Sequence, residues 1–207
     1  LYKANDMVKA DCGGCNGCSR CCHGMGNSII LDPYDVYRMT TGMGKSMQEL
    51  LAASVELNVV DGVILPNLKM QGTEEACAYL DEEGRCSIHP YRPGICRLFP
   101  LGRYYENGGF SYFLQTGECA KENRSKIKVS KWIDTPDLTR NQQFTLQWHD
   151  LLHAMEERLT GEDEGKQREE NLLLLRLFYL LPYEGTIDFY TQFTERMEHW
   201  NGQNGQI

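Results

Sequence analysis

The sequence has no apolar run long enough to cross a membrane and no run of basic residues. Its longest apolar stretches, residues 172–175 and 177–181, are interrupted by Arg176 and followed by Pro182, whereas a membrane-spanning helix needs about 20 apolar residues. A formal charge of -8 and an isoelectric point near 5.2 oppose nonspecific attraction to nucleic acid. We therefore expect neither a membrane nor a nucleic-acid partner.

The first residues also lack the features of a secretory signal. The N-terminal stretch LYKANDMVKADC contains no apolar core, so the cytoplasm is the expected compartment. With 207 residues, 41% of them hydrophobic, the chain can bury a sizeable core. We expect one α+β domain over residues 1–207, with a cysteine-cluster region at 12–119 and a helical C-terminal region at 136–201.

What the sequence does have is cysteine, much of it in one short segment. Residues 12–22 read CGGCNGCSRCC, and the whole chain has nine cysteines. Thiolates are soft metal ligands, and gaps of two residues let a tight turn direct successive sulfur atoms at one centre. The odd count and the clustering are atypical of a disulfide framework. Adjacent cysteines such as Cys21 and Cys22 generally point apart, which suits two metal centres.

The cysteines that follow this segment are expected to complete the metal sites. The segment CAYLDEEGRCSI predicts a hairpin over residues 77–88 that would bring its two sulfur atoms together. A second hairpin is predicted around Asn107 and Gly108, and prolines stiffen the intervening segment HPYRPGICRLFP. The candidate metal ligands are Cys12, Cys15, Cys18, Cys21, Cys22, Cys77, Cys86, Cys96 and Cys119.

The spacing leaves the identity of the metal open. Cys12, Cys15, Cys18 and Cys22 form C-x2-C-x2-C-x3-C, the run of bacterial ferredoxins, in which the fourth cysteine can bind a second cluster. This favours an iron-sulfur cluster of the 4Fe-4S type, although the extra Cys21 permits another grouping. Zinc is the alternative, because CxxC pairs separated by a long insert also form structural sites. Nine cysteines permit two four-ligand sites with one left over, or one cluster and one zinc ion.

Three arginines, Arg92, Arg97 and Arg103, lie on both sides of Cys96 in the sequence. A thiolate-rich centre carries negative charge, so nearby guanidinium groups would lower its electrostatic cost and raise the reduction potential of a cluster. The alternative is that these arginines pair with surface carboxylates. The sequence favours neither.

The pattern CNGCSRCC, then CAYLDEEGRCSIHPYRPGICRLFPLGR and later GEC, resembles the YkgJ-type cysteine-cluster family, described as a zinc- or iron-chelating domain. The family cysteines fall at Cys15, Cys18, Cys21, Cys22, Cys77, Cys86, Cys96 and Cys119. Cys12 lies outside the pattern, as a spare thiol or an additional ligand. Flagellin N-methylase is similar to this family in its cysteine region, which implies lysine methyl transfer as an alternative. This chain is short for that activity and has neither a glycine-rich nucleotide loop nor the CxxxCxxC of radical SAM enzymes.

Local signals predict the scaffold around the cysteines. Asp32 before Pro33 predicts a helix over residues 33–40, Ser46 with Glu49 predicts a second helix to about residue 55, and the Asp61-Gly62 pair predicts a hairpin. Helical periodicity follows in three segments, near residues 144–159, 166–181 and 190–200. The expected fold is a cysteine-rich core of β-hairpins packed against a helical layer.

The leading functional hypothesis is an iron-sulfur protein, with one or two clusters, acting in redox or cluster-dependent chemistry with a protein redox or substrate partner. A structural zinc protein that presents its helical layer to a partner is the first alternative. A lysine methyl transferase is the second.

Overall fold

The computed structural model describes residues 1–13, 18–121 and 123–204, and its architecture is α+β. The elements are β1 (Met7–Asp11), α1 (Pro33–Met43), α2 (Met47–Ala53), β2 (Val55–Val60), β3 (Val63–Leu68), β4 (Met70–Gln71), β5 (Ala76–Cys77), α3 (Gly94–Leu98), β6 (Leu101–Glu106), β7 (Gly109–Leu114), β8 (Ser125–Lys128), α4 (Val129–Ile133), α5 (Leu138–Leu159), α6 (Glu164–Leu175) and α7 (Phe189–Asn204). Within those ranges, each strand belongs to an antiparallel pair: β1 with β8, β2 with β3, β4 with β5, and β6 with β7. None of the helices described combines the length and the apolar character that a bilayer span requires.

The first two helices begin where their capping residues predict. The Asp32 carboxylate accepts the Asp35 N–H at 2.8 Å, and the Asp35 carboxylate accepts the Asp32 N–H at 3.2 Å. Ser46 and Glu49 cap α2 in the same reciprocal way. Both predicted helix starts are confirmed. α1 runs three residues beyond its predicted end, because Gly44 rather than an earlier residue adopts the left-handed conformation that stops it.

Two of the predicted hairpins are confirmed. Asp61 and Gly62 connect β2 to β3, and Asn107 and Gly108 connect β6 to β7. All four residues have positive φ angles, as the tight turns of two-residue hairpins require.

The predicted hairpin over residues 77–88 is formed only in part: the Asp81 N–H donates to the Arg85 carbonyl and the Ser87 N–H to the Tyr79 carbonyl, both at 2.9 Å, but no strand ladder extends from the turn. Its first strand is limited to β5, which pairs with β4, and only an isolated bridge joins Leu80 to Cys86. The Leu80 N–H donates to the Cys77 carbonyl at 2.9 Å, a local turn that ends the extended conformation too early for a ladder to form. The turn at Asp81 does exist, since its carboxylate accepts the Arg85 N–H at 2.7 Å.

The buried side chains form two separate clusters. The main core joins α1, α2 and the β2–β3 hairpin to the C-terminal helices, where Phe144, Trp148, Leu151, Met155 and Leu159 are buried on one face of α5 as predicted. The small core lies around β1, β6, β7 and α4, and its buried members are Val8, Ala10, Leu98, Leu101, Tyr112, Val129 and Ile133. The predicted layer of C-terminal helices is confirmed.

A buried arginine fastens the last helix to the preceding segment. α6 continues as a π-helical segment, Arg176–Leu180, whose end leaves carbonyl groups without helical partners. The Arg196 guanidinium donates to the carbonyls of Leu177 at 2.7 Å, Leu181 at 3.0 Å and Pro182 at 2.9 Å. It thereby holds α7 against the end of α6.

Candidate metal centre

Five cysteines line one cavity beside the main core. They are Cys21, Cys22, Cys77, Cys86 and Cys96. Apart from Arg92 and Tyr79 the rest of the wall is apolar, with Met25, Leu68 and Phe99 among the lining residues. The cavity measures about 70 Å³, the space of about two water molecules and far below the roughly 300–1,000 Å³ of small-molecule sites. An inorganic group therefore suits it better than an organic ligand.

Backbone hydrogen bonds bring the cysteine-bearing segments together. Cys21 and Cys22 belong to the 3-10 turn Arg20–Cys22, in which the Cys22 N–H donates to Ser19 at 2.8 Å. The Gly24 N–H then donates to the Glu75 carbonyl at 3.0 Å, and His23 bridges to Ala76. These contacts place the N-terminal cysteines beside β5, which carries Cys77.

Cys96 is positioned by a carboxylate that sequence reasoning missed. Asp35, on α1, is only 2% exposed, and its carboxylate accepts the Gly94 N–H at 2.7 Å. Gly94 is the first residue of α3, so Asp35 fixes the start of the short helix that carries Cys96. The capping pattern around Asp32 explains one role of Asp35. No local pattern indicates the contact with Gly94.

The arginines predicted near Cys96 divide between two environments. Arg92 lines the cavity, and its charge partly offsets the burial that raises the pKa of Cys86 and makes a minor contribution to the lowered pKa of Cys21. Arg97, only 5% exposed, and Arg103 act on the half-buried carboxylate of Asp32 and the buried carboxylate of Asp35.

The thiols of the cavity strongly influence one another. The Cys22 thiol hydrogen-bonds to Cys21, and this bond lowers the pKa of Cys21 to about 6 and raises the pKa of Cys22. Burial raises the pKa values of Cys77, Cys86 and Cys96. Several thiolates in one apolar space repel one another, and a bound cation removes that penalty because its ligands are deprotonated outright.

The other described cysteines line a second, smaller cavity. Cys12, Cys18 and Cys119 surround about 20 Å³ of space, and Cys21 lies in the walls of both cavities. Cys15 lies outside the described residues. Free thiols are found at Cys18, Cys21, Cys22, Cys77, Cys86, Cys96 and Cys119.

The donor chemistry of both groups fits a thiolate-bound metal. Throughout the described part of the chain, no three His, Cys, Asp or Glu side chains are already arranged to hold a metal ion. Ligation therefore requires the thiol groups to turn inward. The free energy of metal binding at a thiolate site then contributes to the stability of the fold.

Comparison with known proteins gives one family. Residues 14–129 match the sequence model of CxxCxxCC, described as a "putative zinc- or iron-chelating domain". No curated protein and no solved structure matches the chain. Cys12 precedes the matched range, which contains the eight other cysteines. Because the match covers more than half of the sequence, the chain belongs to the CxxCxxCC family.

Proposed function

We propose that this chain is an iron-sulfur protein whose main centre occupies the cavity of about 70 Å³, with Cys22, Cys77, Cys86 and Cys96 as ligands. The observation that carries the proposal is the convergence of these cysteines, from separate segments of the chain, on one largely apolar cavity. Four cysteine thiolates are the usual ligands of a 4Fe-4S cluster. The cavity must widen to admit the eight atoms of such a cluster.

The surroundings of the cavity suit redox chemistry. When bound, a cluster supplies one-electron transfer. The apolar wall keeps water away from the sulfur atoms, and Arg92 offsets part of their negative charge, which favours the reduced state. Ile95 lines the cavity and is 39% exposed. The centre is therefore near the surface, as electron exchange with a protein partner requires.

Purification without oxygen tests this function. We expect a brown protein with broad visible absorption and about four iron and four sulfide per main centre. Replacing Cys77 by serine should remove this iron and bleach the absorption. Colourless wild-type protein that contains zinc and no iron would contradict the cluster and support the structural zinc alternative.

Lysine methyl transfer stays a prediction that the family resemblance implies. Calorimetry with S-adenosylmethionine tests it directly. Binding of that cosubstrate by the wild-type chain, retained when Cys77 is replaced by serine, would establish a cosubstrate site separate from the metal centre.

A further inference from the structure

We propose that the chain has a second metal centre, a single thiolate-bound ion of the zinc class, held by Cys12, Cys18, Cys21 and Cys119. These four cysteines line the cavity of about 20 Å³. The inference rests on the proposed function in one respect, namely that Cys22, Cys77, Cys86 and Cys96 serve the main centre. It extends beyond the matched family region, because Cys12 precedes residue 14.

The pairing of β1 with β8 brings distant cysteines to this cavity. Cys12 directly follows β1, and Cys119 shortly precedes β8. The two strands pair from Met7 opposite Lys128 to Asp11 opposite Ser125, and the Ser125 hydroxyl donates to the Asp11 carboxylate at 3.1 Å. The fold therefore gathers sulfur atoms that are far apart in the sequence.

The size of the second cavity favours one ion. Its volume of about 20 Å³ is below the share of one water molecule, roughly 30 Å³. A single thiolate-bound ion needs little space, because its sulfur ligands lie only about 2.3 Å from it. Phe99, Pro100 and Trp132 form rigid walls, and the Trp132 indole donates to the Leu98 and Phe99 carbonyls at 3.2 Å. Inward rotation of the thiol groups is therefore the natural way to fill the space.

The lining charges suit a four-thiolate ion. Four thiolates around a divalent ion carry excess negative charge. Among the described residues, Arg20 and Lys121 line the cavity together with the carboxylate of Glu118. The positive side chains partly neutralise that excess, as groups around a metal site commonly do.

The small core explains why such an ion would be useful. It consists of few buried side chains, from β1, α3, β6, β7 and α4, and small hydrophobic cores commonly need a metal or another crosslink for stability. Phe99 and Trp132 lie in the cavity wall directly beside Leu98 and Ile133 of that core. An ion at Cys12 and Cys119 would fasten the N-terminal strand to it.

The assignment of the cysteines to two centres also explains why Cys21 and Cys22 are adjacent in the sequence. Cys22 lines only the larger cavity, whereas Cys21 lies in the wall between the two. One cysteine of the pair can thus serve each centre, which gives each centre four of the eight cysteines that lie in the described residues.

Elemental analysis of the 207-residue chain purified without oxygen tests the second centre. Iron and zinc are measured together in the wild type, in the double variant Cys12→Ser/Cys119→Ser, and in the matched variant Cys77→Ser/Cys86→Ser. We expect about one zinc per wild-type chain beside the cluster iron. The first variant should lose that zinc and keep its iron, and the second should lose iron and keep zinc. Amide exchange in β1 and β8 should rise roughly tenfold or more in the first variant, and less in the second.

The outcomes separate this inference from the proposed function. Wild-type protein with iron but no zinc, or a folded Cys12→Ser/Cys119→Ser variant that keeps its zinc, overturns the second centre and leaves the cluster intact. Two zinc ions and no iron in the wild type, falling to one in that variant, support the second centre and contradict the cluster. If the variant does not fold, the wild type decides, since zinc in addition to full iron supports the proposal and its absence overturns it.

Discussion

Replacing Asp35 by alanine should weaken both the fold and metal binding at the proposed main centre. The buried carboxylate accepts the N–H groups of Gly94 and Asp32, at 2.7 and 3.2 Å, and its charge faces the buried guanidinium of Arg97. A hydrogen bond to a charged group contributes about 1.5–3 kcal/mol, and breaking a buried charge pair costs about 3–5 kcal/mol. Burial raises the pKa of Asp35, so ionising this carboxyl group is already costly in the folded protein. The expected loss of stability therefore lies near the lower end of the range for a buried charge pair.

We therefore expect the free energy of unfolding to fall by about 3 kcal/mol, or the melting temperature by roughly 6–12 °C for a chain of this size. Because α3 loses the anchor of its first residue, Cys96 should be held less precisely. Loss of a partner that orients a metal ligand typically weakens metal affinity by about 10- to 100-fold. Urea denaturation and the rate of metal transfer to a coloured chelator measure the two effects.

The matched control is Glu157→Ala. Its carboxylate is 72% exposed and, within the described ranges, its ion pair is with His153 on the same helix, so both measurements should stay close to those of the wild type. If Asp35→Ala changes unfolding by less than about 1 kcal/mol and releases metal at the wild-type rate, then Asp35 does not anchor α3 and the reasoning is refuted.

Three further predictions concern single side chains. Desolvation raises the pKa of Asp32 to about 7. The Asp32 side chain therefore makes its full contribution to the free energy of unfolding below about pH 4, and this contribution is lost as the pH rises through 7. The variant Asp32→Asn keeps a capping oxygen. In urea titrations, its stability relative to the wild type should increase between pH 5 and pH 8. A difference in unfolding free energy that does not change with pH would contradict this. Arg196→Met should lower the free energy of unfolding by about 3 kcal/mol, since three carbonyls lose a charged donor. Metal content should stay unchanged. Loss of metal would show that the helical layer also shapes the metal centre. Asn171→Ala should cost about 2 kcal/mol, because its side chain accepts the Ile64 N–H at 2.6 Å and donates to the Gly62 carbonyl at 3.1 Å, and thermal denaturation that matches the wild type would refute this.

Local signals predicted much of the scaffold because each depends on a few neighbouring residues. Asp32 and Ser46 begin helices through contacts three residues away, and Asn107 with Gly108 forms its turn within the hairpin. The apolar face of α5 follows from periodicity alone. Such features do not depend on the rest of the fold.

The failures arose where a distant segment decides the outcome. The turn at Asp81 was recognised, but β5 pairs with β4 rather than across that turn. The cysteine pattern indicated candidate ligands and left their grouping open, because β1 must first meet β8 before Cys12 and Cys119 can share a cavity. The contact of Asp35 with Gly94 likewise depends on the packing of α1 against α3.

The five-residue helix α3 belongs to both halves of the molecule. Cys96 packs against the main core, whereas Leu98, two residues later, is buried in the small core. A single turn of helix is too short to bend between the main core and the small core. Unfolding of one core therefore displaces α3 and disturbs the packing of the other. Heating should consequently melt the two halves in one cooperative transition, despite their separate interiors.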